Sequence, residues 1–348
     1  MNRNSEIKLR ASSNSAIHLS KPSNYVLVML DICMLKCKMC YQWKSFRRSE
    51  ELTIEEWKDF VSSLKQFIAR PSHVHLVGGE PLIKKDILDL VKHIRGQNNK
   101  FISDIVTNAV LIDEVAARGI VDSGLSTIIF SLESLKPEVH DYLRGLKGCH
   151  DKVMRAIDYV SRYRSALNRH IDIGIQTIIL EHNIDELIDL LKWVEADQRI
   201  QFISFQILKQ PLNSPEDEKW YISDEFGSLW PKDIDKVTEK IDAIIEMKKN
   251  RYFKISNEIP QLELYKAYYQ NPRMVVKNIR CSIFNQVLIV DPVGNVSFCS
   301  RTGNIGNIRE NPLEILWDSP EAEAARARIL NCKNICRHIM FNYSHDNQ

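Results

Sequence analysis

Three cysteines near the N-terminus have the residue type and the spacing that could do chemistry. Cys33, Cys37 and Cys40 are separated by three and then two residues, in the segment CMLKCKMC. This spacing lets three thiolates converge on one face of an iron–sulfur cluster, which normally takes four cysteine ligands. Three ligands leave one iron open to bind a small molecule. The alternative is a structural zinc site that takes a fourth ligand from elsewhere in the chain.

Four more cysteines lie near the C-terminus. Cys281 and Cys299 frame a predicted β-hairpin, and Cys332 and Cys336 follow as a CxxxC pair. Four cysteines can ligate one complete [4Fe–4S] cluster. A Cys₄ zinc site is the alternative, because tetrahedral zinc accepts varied ligand spacing. Cys149 lies outside both groups and is expected to be a small buried apolar residue.

The composition predicts a globular cytoplasmic protein. Of the 348 residues 44% are hydrophobic and 26% charged, and 47 Lys and Arg against 45 Asp and Glu give a net charge of +2. This balance gives no reason to expect a nucleic-acid or membrane partner. No apolar run reaches the ~18 residues of a membrane span, and the polar N-terminus lacks the apolar core of a signal peptide. In a reducing compartment clustered cysteines bind metal or do redox chemistry more often than they form disulfides.

The elements that must position these cysteines follow from the hydrophobic pattern of residues 25–208. Strands alternate with helices there, and the strands are apolar almost throughout. The predicted strands are Tyr25–Asp31, Val74–Val77, Ile102–Val106, Thr127–Leu132, Ile171–Ile179 and Phe202–Ile207. The predicted helices are 53–68, which begins with a capping box of Thr53 and Glu56, then 84–95, 111–122, 151–167 and 184–196.

Six strand–helix units predict an α/β fold with a parallel sheet, in the form of a partial (β/α)6 TIM-like barrel. A doubly wound sheet is the alternative. In both folds the active site lies at the C-terminal ends of the strands, where the first cysteine group falls.

The rest of the chain divides into three regions. Residues 1–24 form a polar N-terminal tail, and residues 209–280 form a helical bridging or substrate region with helices at 234–249 and 261–269. Residues 281–348 hold the hairpin and a closing helix at 313–329. Aromatic residues of the bridging region could stack on a substrate or belong to the core. They are Trp220, Tyr221, Phe226, Trp230, Tyr265, Tyr268 and Tyr269.

The chain resembles the radical S-adenosylmethionine (radical SAM) superfamily. The CxxxCxxC motif, with Met39 before its last cysteine, and Gly78-Gly79-Glu80-Pro81 after strand two carry most of the resemblance. The resemblance implies a [4Fe–4S] cluster with one open iron, and SAM bound to that iron. It also implies that the backbone and carboxylate of the GGE motif hold the methionyl amino group of SAM.

Weaker matches to the family's SAM-binding positions follow at later strand ends. They are Thr107-Asn108, which resembles a TN dipeptide; Ser131 and Glu133, near the methionyl part and the ribose; Arg144, near the SAM carboxylate; Gln176 on strand five; and Gln206–Leu208 at the end of strand six, near the adenine. The glycine that usually follows the TN dipeptide is Ala109 here. Each match has an ordinary structural explanation; Arg144, for example, could pair with Asp141 on a helix face. Their order along the chain favours the functional interpretation.

The C-terminal region resembles a SPASM/twitch domain. The hairpin between two cysteines, Gly306-Asn307, a helix and a final cysteine pair carry this resemblance. Full SPASM domains hold more cysteines and two clusters. The four present here imply one auxiliary [4Fe–4S] cluster, as in the shorter twitch form.

The resemblance implies a reaction as well as a fold. One electron from an external donor such as flavodoxin or ferredoxin cleaves SAM, and the resulting 5′-deoxyadenosyl radical takes a hydrogen atom from the substrate. A twitch cluster favours net oxidation, so we expect a dehydrogenase-type oxidoreductase. The expected substrate is a small molecule such as a sugar, an aminocyclitol or a related metabolite.

The alternative is a maturase that forms a crosslink or thioether in a ribosomally synthesised peptide. Only 24 residues precede the first predicted strand, too few for a peptide-binding domain, which favours the small molecule. Tyr41, Gln42 and Trp43 beside the first cysteine group are candidates to line the substrate pocket. The sequence identifies no catalytic base.

Overall fold

Six parallel strands form the core of the sheet, as the sequence pattern predicts. The computed structural model describes residues 19–44, 50–97, 100–211, 214–215, 217–252, 254–273 and 281–332. The strands are β1 Asn24–Val28, β2 Ser72–Val77, β3 Phe101–Thr107, β4 Thr127–Ser131, β5 Asp172–Ile179 and β6 Phe202–Ile207. Each pairs in parallel with the next along the chain, which confirms the open α/β sheet of a partial barrel.

Helices follow the strands and cover one face of the sheet. They are α1 Ile54–Phe67, α2 Ile87–Arg95, α3 Glu114–Asp122, α4 Pro137–Arg144, α5 Cys149–Ala166, α6 Leu187–Ala196, α7 Ile234–Lys249 and α8 Ile259–Gln270. The capping box of Thr53 and Glu56 opens α1 as predicted, and Trp57, Phe60 and Leu64 form its buried face. We call the opposite face of the sheet, which the helices leave uncovered, the inner face.

Helices α2, α3 and α6 each begin three residues later than the predicted starts at 84, 111 and 184. Helix α3 begins at Glu114, because the Asp113 side chain accepts the N–H of Ala116 and caps the helix there. The short helix α4 was not predicted; Pro137 opens it, and Gly145, in the left-handed conformation, ends it. Helix α4 matters for the site because Arg144 is its last residue.

The sheet continues into the C-terminal region. Strand β7, Val287–Val290, pairs in parallel with the free edge of β1, and β8, Asn295–Ser297, and β9, Gly306–Asn307, follow in antiparallel order. The hairpin was predicted, but its pairing with β1 was not. The strand order of the nine-stranded sheet is β6-β5-β4-β3-β2-β1-β7-β8-β9.

The predicted closing helix at 313–329 is wrong as one element. It is two helices, α9 Leu313–Trp317 and α10 Pro320–Leu330. Ser319 accepts the N–H of Ala322 and starts a new helix, and Pro320 at its first turn cannot continue the preceding one.

The aromatic side chains of the bridging region pack mainly against one another. Trp230 contacts the rings of Trp220, Tyr221, Tyr268 and Tyr269 at centroid distances of 4.9–5.7 Å. Four of these five side chains are buried, so the cluster serves as core. Among the helices of the described segments, none combines the length and apolar character needed to cross a bilayer.

At the outer edge of β6, the side chain of Asn257 makes the two backbone hydrogen bonds that a neighbouring strand would make. Asn257 accepts the N–H of Phe205 at 2.6 Å and donates to its carbonyl at 2.9 Å. Next to it, Ile203 exchanges backbone hydrogen bonds with Lys254 and Ser256. The edge therefore keeps no free ladder groups at these positions.

We predict that Asn257→Ala lowers the free energy of unfolding by about 2–4 kcal/mol, because it leaves the buried N–H and carbonyl of Phe205 without partners. Chemical denaturation monitored by circular dichroism measures this change. The control is Asn250→Ala, a change of the same type at the exposed end of α7. Equal effects of the two substitutions would contradict the assignment.

Candidate functional site

The loop that carries the first three cysteines, residues 29–40, is held by the backbone of the glycine pair after β2. The N–H of Gly79 donates to the carbonyl of Leu30 and the N–H of Glu80 to that of Ile32, both at 3.0 Å. A Cβ on Gly79 would lie 1.8 Å from the Ile32 oxygen, so only glycine allows this approach. Gly78 has φ +145°, and a Cβ there would lie 2.4 Å from the Leu30 oxygen. The GGE motif therefore shapes the cysteine loop directly.

Each of the three sulfurs accepts a hydrogen bond from at least one N–H group of the protein. The donors are Leu35 and Asn108 to Cys33, Arg144 to Cys37, and Gln42 to Cys40, at N···S distances of 3.4–3.9 Å. Hydrogen bonds to sulfur favour the thiolate, which is the form that binds iron. These N–H donors therefore suit the three cysteines as thiolate ligands of an iron–sulfur cluster.

Burial opposes thiolate formation until a metal binds. Burial raises the pKa of Cys33 to about 11, with the nearby charges of Cys37 and Glu80 adding to the effect. Burial also raises the pKa of Cys37, while Arg144 acts in the opposite direction. Bound iron would deprotonate these thiols outright.

Glu80 joins the ends of β2 and β3. Its carboxylate accepts hydrogen bonds from the Thr107 hydroxyl at 2.8 Å, the Asn108 N–H at 2.9 Å and the Leu82 N–H at 3.3 Å. The side chain is buried, and burial raises its pKa. Both oxygens thus have protein partners, and the contact to the SAM amino group that the resemblance implies stays a prediction. Pro81 opens the short 3₁₀ turn that follows.

Ala109, at the position where the resembling family usually has glycine, has a left-handed backbone conformation. It has φ +64°, is fully buried, and donates its N–H to the Thr107 hydroxyl. A left-handed alanine costs about 1 kcal/mol. The turn directs the amide of Asn108 toward the cysteine loop, where it donates to the sulfurs of Cys33 and Met34.

Arg144 pairs with Glu133, at 2.5 Å, and not with Asp141 as the helix spacing suggested. Asp141 instead accepts the N–H groups of Gly148 and His150. The second oxygen of Glu133 accepts the N–H of Ile178 at 2.8 Å. Glu133 is fully buried and bound to Arg144 and the end of β5, and its role beside SAM stays a prediction.

One atom of Arg144 points to an anionic ligand. Its Nε–H is buried and has no partner in the described part of the chain. A buried donor without an acceptor is rare in a folded protein. The carboxylate of SAM, which the sequence resemblance assigns to Arg144, would satisfy it.

The inner face of β4 to β6 carries a polar row. Ser131, Gln176 and Ser204 lie side by side in register, and Gln206 donates to the Ser204 hydroxyl from the next inward position of β6. The Gln206 carbonyl oxygen is buried without a partner among the described residues. Ser131 therefore ends β4 and Gln176 lies on β5, as predicted from the sequence, while their contacts to SAM stay a prediction.

Leu208 is less available than expected. Its N–H donates to the Tyr269 hydroxyl and its carbonyl accepts from the Tyr268 hydroxyl. The side chain is buried in the core. Within the predicted segment Gln206–Leu208, Gln206 is therefore the residue whose side-chain oxygen has no partner among the described residues. Met39 is buried beside the cysteines.

Cys281 and Cys332 lie near enough to Cys299 to influence its thiol, although among the described residues no three such side chains form a group that could hold a metal ion. Burial raises the pKa of Cys299 to about 11, and the nearby charges of Cys281 and Cys332 raise it further. Cys336 lies outside the described residues, so the complete ligand set stays a prediction. Cys149 is fully buried, as expected for a structural residue.

Comparison with known families agrees with both sites. Residues 27–194 match the radical SAM superfamily, and residues 281–338 match an iron–sulfur cluster-binding domain, SPASM. The chain belongs to the radical SAM superfamily and carries a C-terminal SPASM domain. It is a radical SAM enzyme, and its families imply [4Fe–4S] clusters and bound SAM. These cofactors supply one-electron chemistry that removes a substrate hydrogen atom, while the protein positions the groups and excludes water.

Particular relatives cover most of the chain. A Methanosarcina barkeri Fe-coproporphyrin III synthase is 25% identical over 323 residues, 86% of this chain and 75% of the relative. A Bradyrhizobium diazoefficiens PqqA peptide cyclase is 24% identical over 310 residues, 85% and 73%. The fold is similar to that of Streptococcus suis SuiB bound to S-adenosylmethionine, with TM-score 0.66, 17% identity and coverage of 89% and 69%. SuiB has also been solved bound to its precursor peptide SuiA.

We predict that Gly79→Ala abolishes cluster binding, because the new Cβ would displace the backbone of Ile32 and Cys33. Iron content and visible absorbance after anaerobic reconstitution measure the loss. Gly119→Ala is the control; its Cβ would meet only the flexible end of Leu88, so iron content should not change. Full iron loading of the Gly79 variant would show that the loop tolerates another path.

A second prediction counts iron per chain. The wild type should hold about eight irons, and the Cys33/Cys37/Cys40→Ala variant about four, if two cubane clusters are present. Zinc is measured in the same samples. About four irons and one zinc in the wild type would instead assign zinc to the C-terminal cysteines.

Proposed function

We propose that this enzyme modifies a ribosomally synthesised peptide by radical chemistry, forming a crosslink or a thioether. The observation that carries the proposal is the similarity to a PqqA peptide cyclase, which spans 85% of the chain and therefore extends beyond the radical SAM core. Related folds support it, since SuiB binds a precursor peptide. The hypothesis of an oxidised sugar or aminocyclitol receives no such support.

The inner face of the sheet suits a peptide. Gln176 and Gln206 present side-chain amides there. The side-chain oxygen of Gln206 has no hydrogen-bond donor among the described residues. A side-chain amide both donates and accepts, as a peptide bond does. Ser131 and Ser204 extend the same row with hydroxyl groups. Such a surface can bind the main chain of a substrate while leaving a side chain near the cysteine loop.

The C-terminal cysteines fit an oxidative modification. Forming a crosslink removes two hydrogen atoms from the peptide. The SAM-derived radical takes one hydrogen atom, and the remaining electron and proton must leave the substrate radical. We propose that the C-terminal cluster accepts the electron and that an external acceptor reoxidises it. Flavodoxin or ferredoxin would supply the electron for SAM cleavage at the first cluster.

The test is peptide modification by the reconstituted enzyme. Anaerobic protein, SAM and reductant are incubated with short peptides encoded beside the gene, and products are analysed by mass spectrometry. We expect 5′-deoxyadenosine to form together with a peptide lighter by two hydrogen atoms. Cys37→Ala should abolish both products, while Cys149→Ala, which changes a cysteine outside both ligand groups, should retain them.

The similarity to Fe-coproporphyrin III synthase defines the competing result. The name of that relative gives its product, so the same assay is run with iron-porphyrin precursors of Fe-coproporphyrin III in place of the peptides. Turnover of the porphyrin with no change in any peptide would overturn the peptide proposal and assign a small-molecule substrate. Release of 5′-deoxyadenosine only in the presence of a peptide would support the proposal.

A further inference from the structure

Arg144 stands between a buried carboxylate and a sulfur of the first cysteine group. One guanidinium nitrogen, Nη2, lies 2.5 Å from Glu133 Oε1, and the other, Nη1, lies 3.9 Å from Cys37 Sγ. Side-chain exposures of 13% for Arg144 and 0% for Glu133 leave little water to screen these charges. The positions of these two groups therefore decide the electrostatic field at Cys37.

The protein fixes Arg144 against the cysteine loop through the main chain. The N–H of Lys38 donates to the carbonyl of Leu143 at 2.9 Å. Gly145, with φ +69°, packs so closely that a Cβ would lie 2.5 Å from the Lys36 carbonyl oxygen. The end of α4 and the loop between Cys33 and Cys40 thus form one rigid contact.

A second set of contacts fixes Glu133. Its N–H donates to Nδ1 of His140, and its carbonyl accepts from the Asn183 amide. Burial, followed by the charges of Arg144 and His150, lowers the pKa of His140 to about 2, so the ring is neutral. Burial also works against the Arg144 charge, but Glu133 and Cys37 outweigh it and raise the pKa of the guanidinium. Arg144 is a permanent cation and Glu133 is its counterion.

We propose that Arg144 is a positioning residue that sets the reduction potential of the first cluster, by donating a charge-assisted hydrogen bond to the Cys37 sulfur. Reduction adds one electron to a cluster, and a nearby cation stabilises the added charge. Hydrogen bonds to the ligand sulfurs act in the same direction. Glu133 moderates the effect, because its negative charge offsets part of the cation. With both residues present, the reduction potential therefore lies below its value without Glu133 and above its value without Arg144.

The experiment is a redox titration followed by electron paramagnetic resonance, with no SAM present. The signal of the first cluster is identified beforehand as the one that changes when SAM is added. Arg144→Gln should lower the potential by about 59 mV or more, a tenfold change in the one-electron equilibrium. Arg144→Lys keeps the charge and should recover most of the loss.

Glu133→Gln keeps Arg144 and removes its counterion, so it should move the potential in the opposite direction, upward. Arg164→Gln is the matched control: Arg164 is another arginine bound to internal acceptors, Gln201 and the carbonyls of Ile171 and Arg199, outside the cysteine loop. It should leave the potential unchanged. Iron content is measured for every variant.

Opposite shifts for the Arg144 and Glu133 variants support the proposal, because a general loss of packing would not reverse sign. Shifts in the same direction, or none, overturn it. If Arg144→Gln does not load iron, Glu133→Gln decides alone: an upward shift supports the proposal, and an unchanged or lower potential rejects it.

Discussion

The main-chain contact between the glycine pair after β2 and the cysteine loop after β1 is the constraint on which the site depends. It places two backbone hydrogen bonds and a close steric approach where side chains would keep the segments apart. Glu80, the next residue, carries the contact on to β3 through Thr107 and Asn108. From the other side, Arg144 and Glu133 connect the loop to β4 and β5. The three sulfurs thus rest on the ends of five consecutive strands.

Much of the fold could be predicted because its signals are local. Apolar strands alternate with amphipathic helices, and Thr53 with Glu56 marks a helix start within four residues. The cysteine spacing and the glycine pair likewise lie in short segments. The exceptions are α4, which is only eight residues long, and the closing helix, whose apolar pattern runs across the break at Ser319.

The details of the site depended on contacts that no local pattern records. Helix spacing suggested Asp141 as the partner of Arg144, but Asp141 is used by the backbone of Gly148 and His150. Leu208 was expected to be available for contact with SAM at a strand end. Its backbone N–H and carbonyl are instead hydrogen-bonded to the hydroxyl groups of two tyrosines of α8. Substrate preference was harder still, since it rested on the short N-terminal segment. The proposal of a peptide substrate came from similarity across most of the chain.

The pairing of β7 with β1 has a consequence for how the protein folds. Asn24 pairs with Val287, so one edge of the first strand of the sheet pairs with a strand from the last quarter of the chain. Until that partner is synthesised, one edge of the growing sheet exposes its ladder groups, and such edges pair readily with other chains. Contacts of this sequence separation are slow to form and leave intermediates prone to aggregate. The β1 edge is therefore open to such pairing until the C-terminal region joins the sheet.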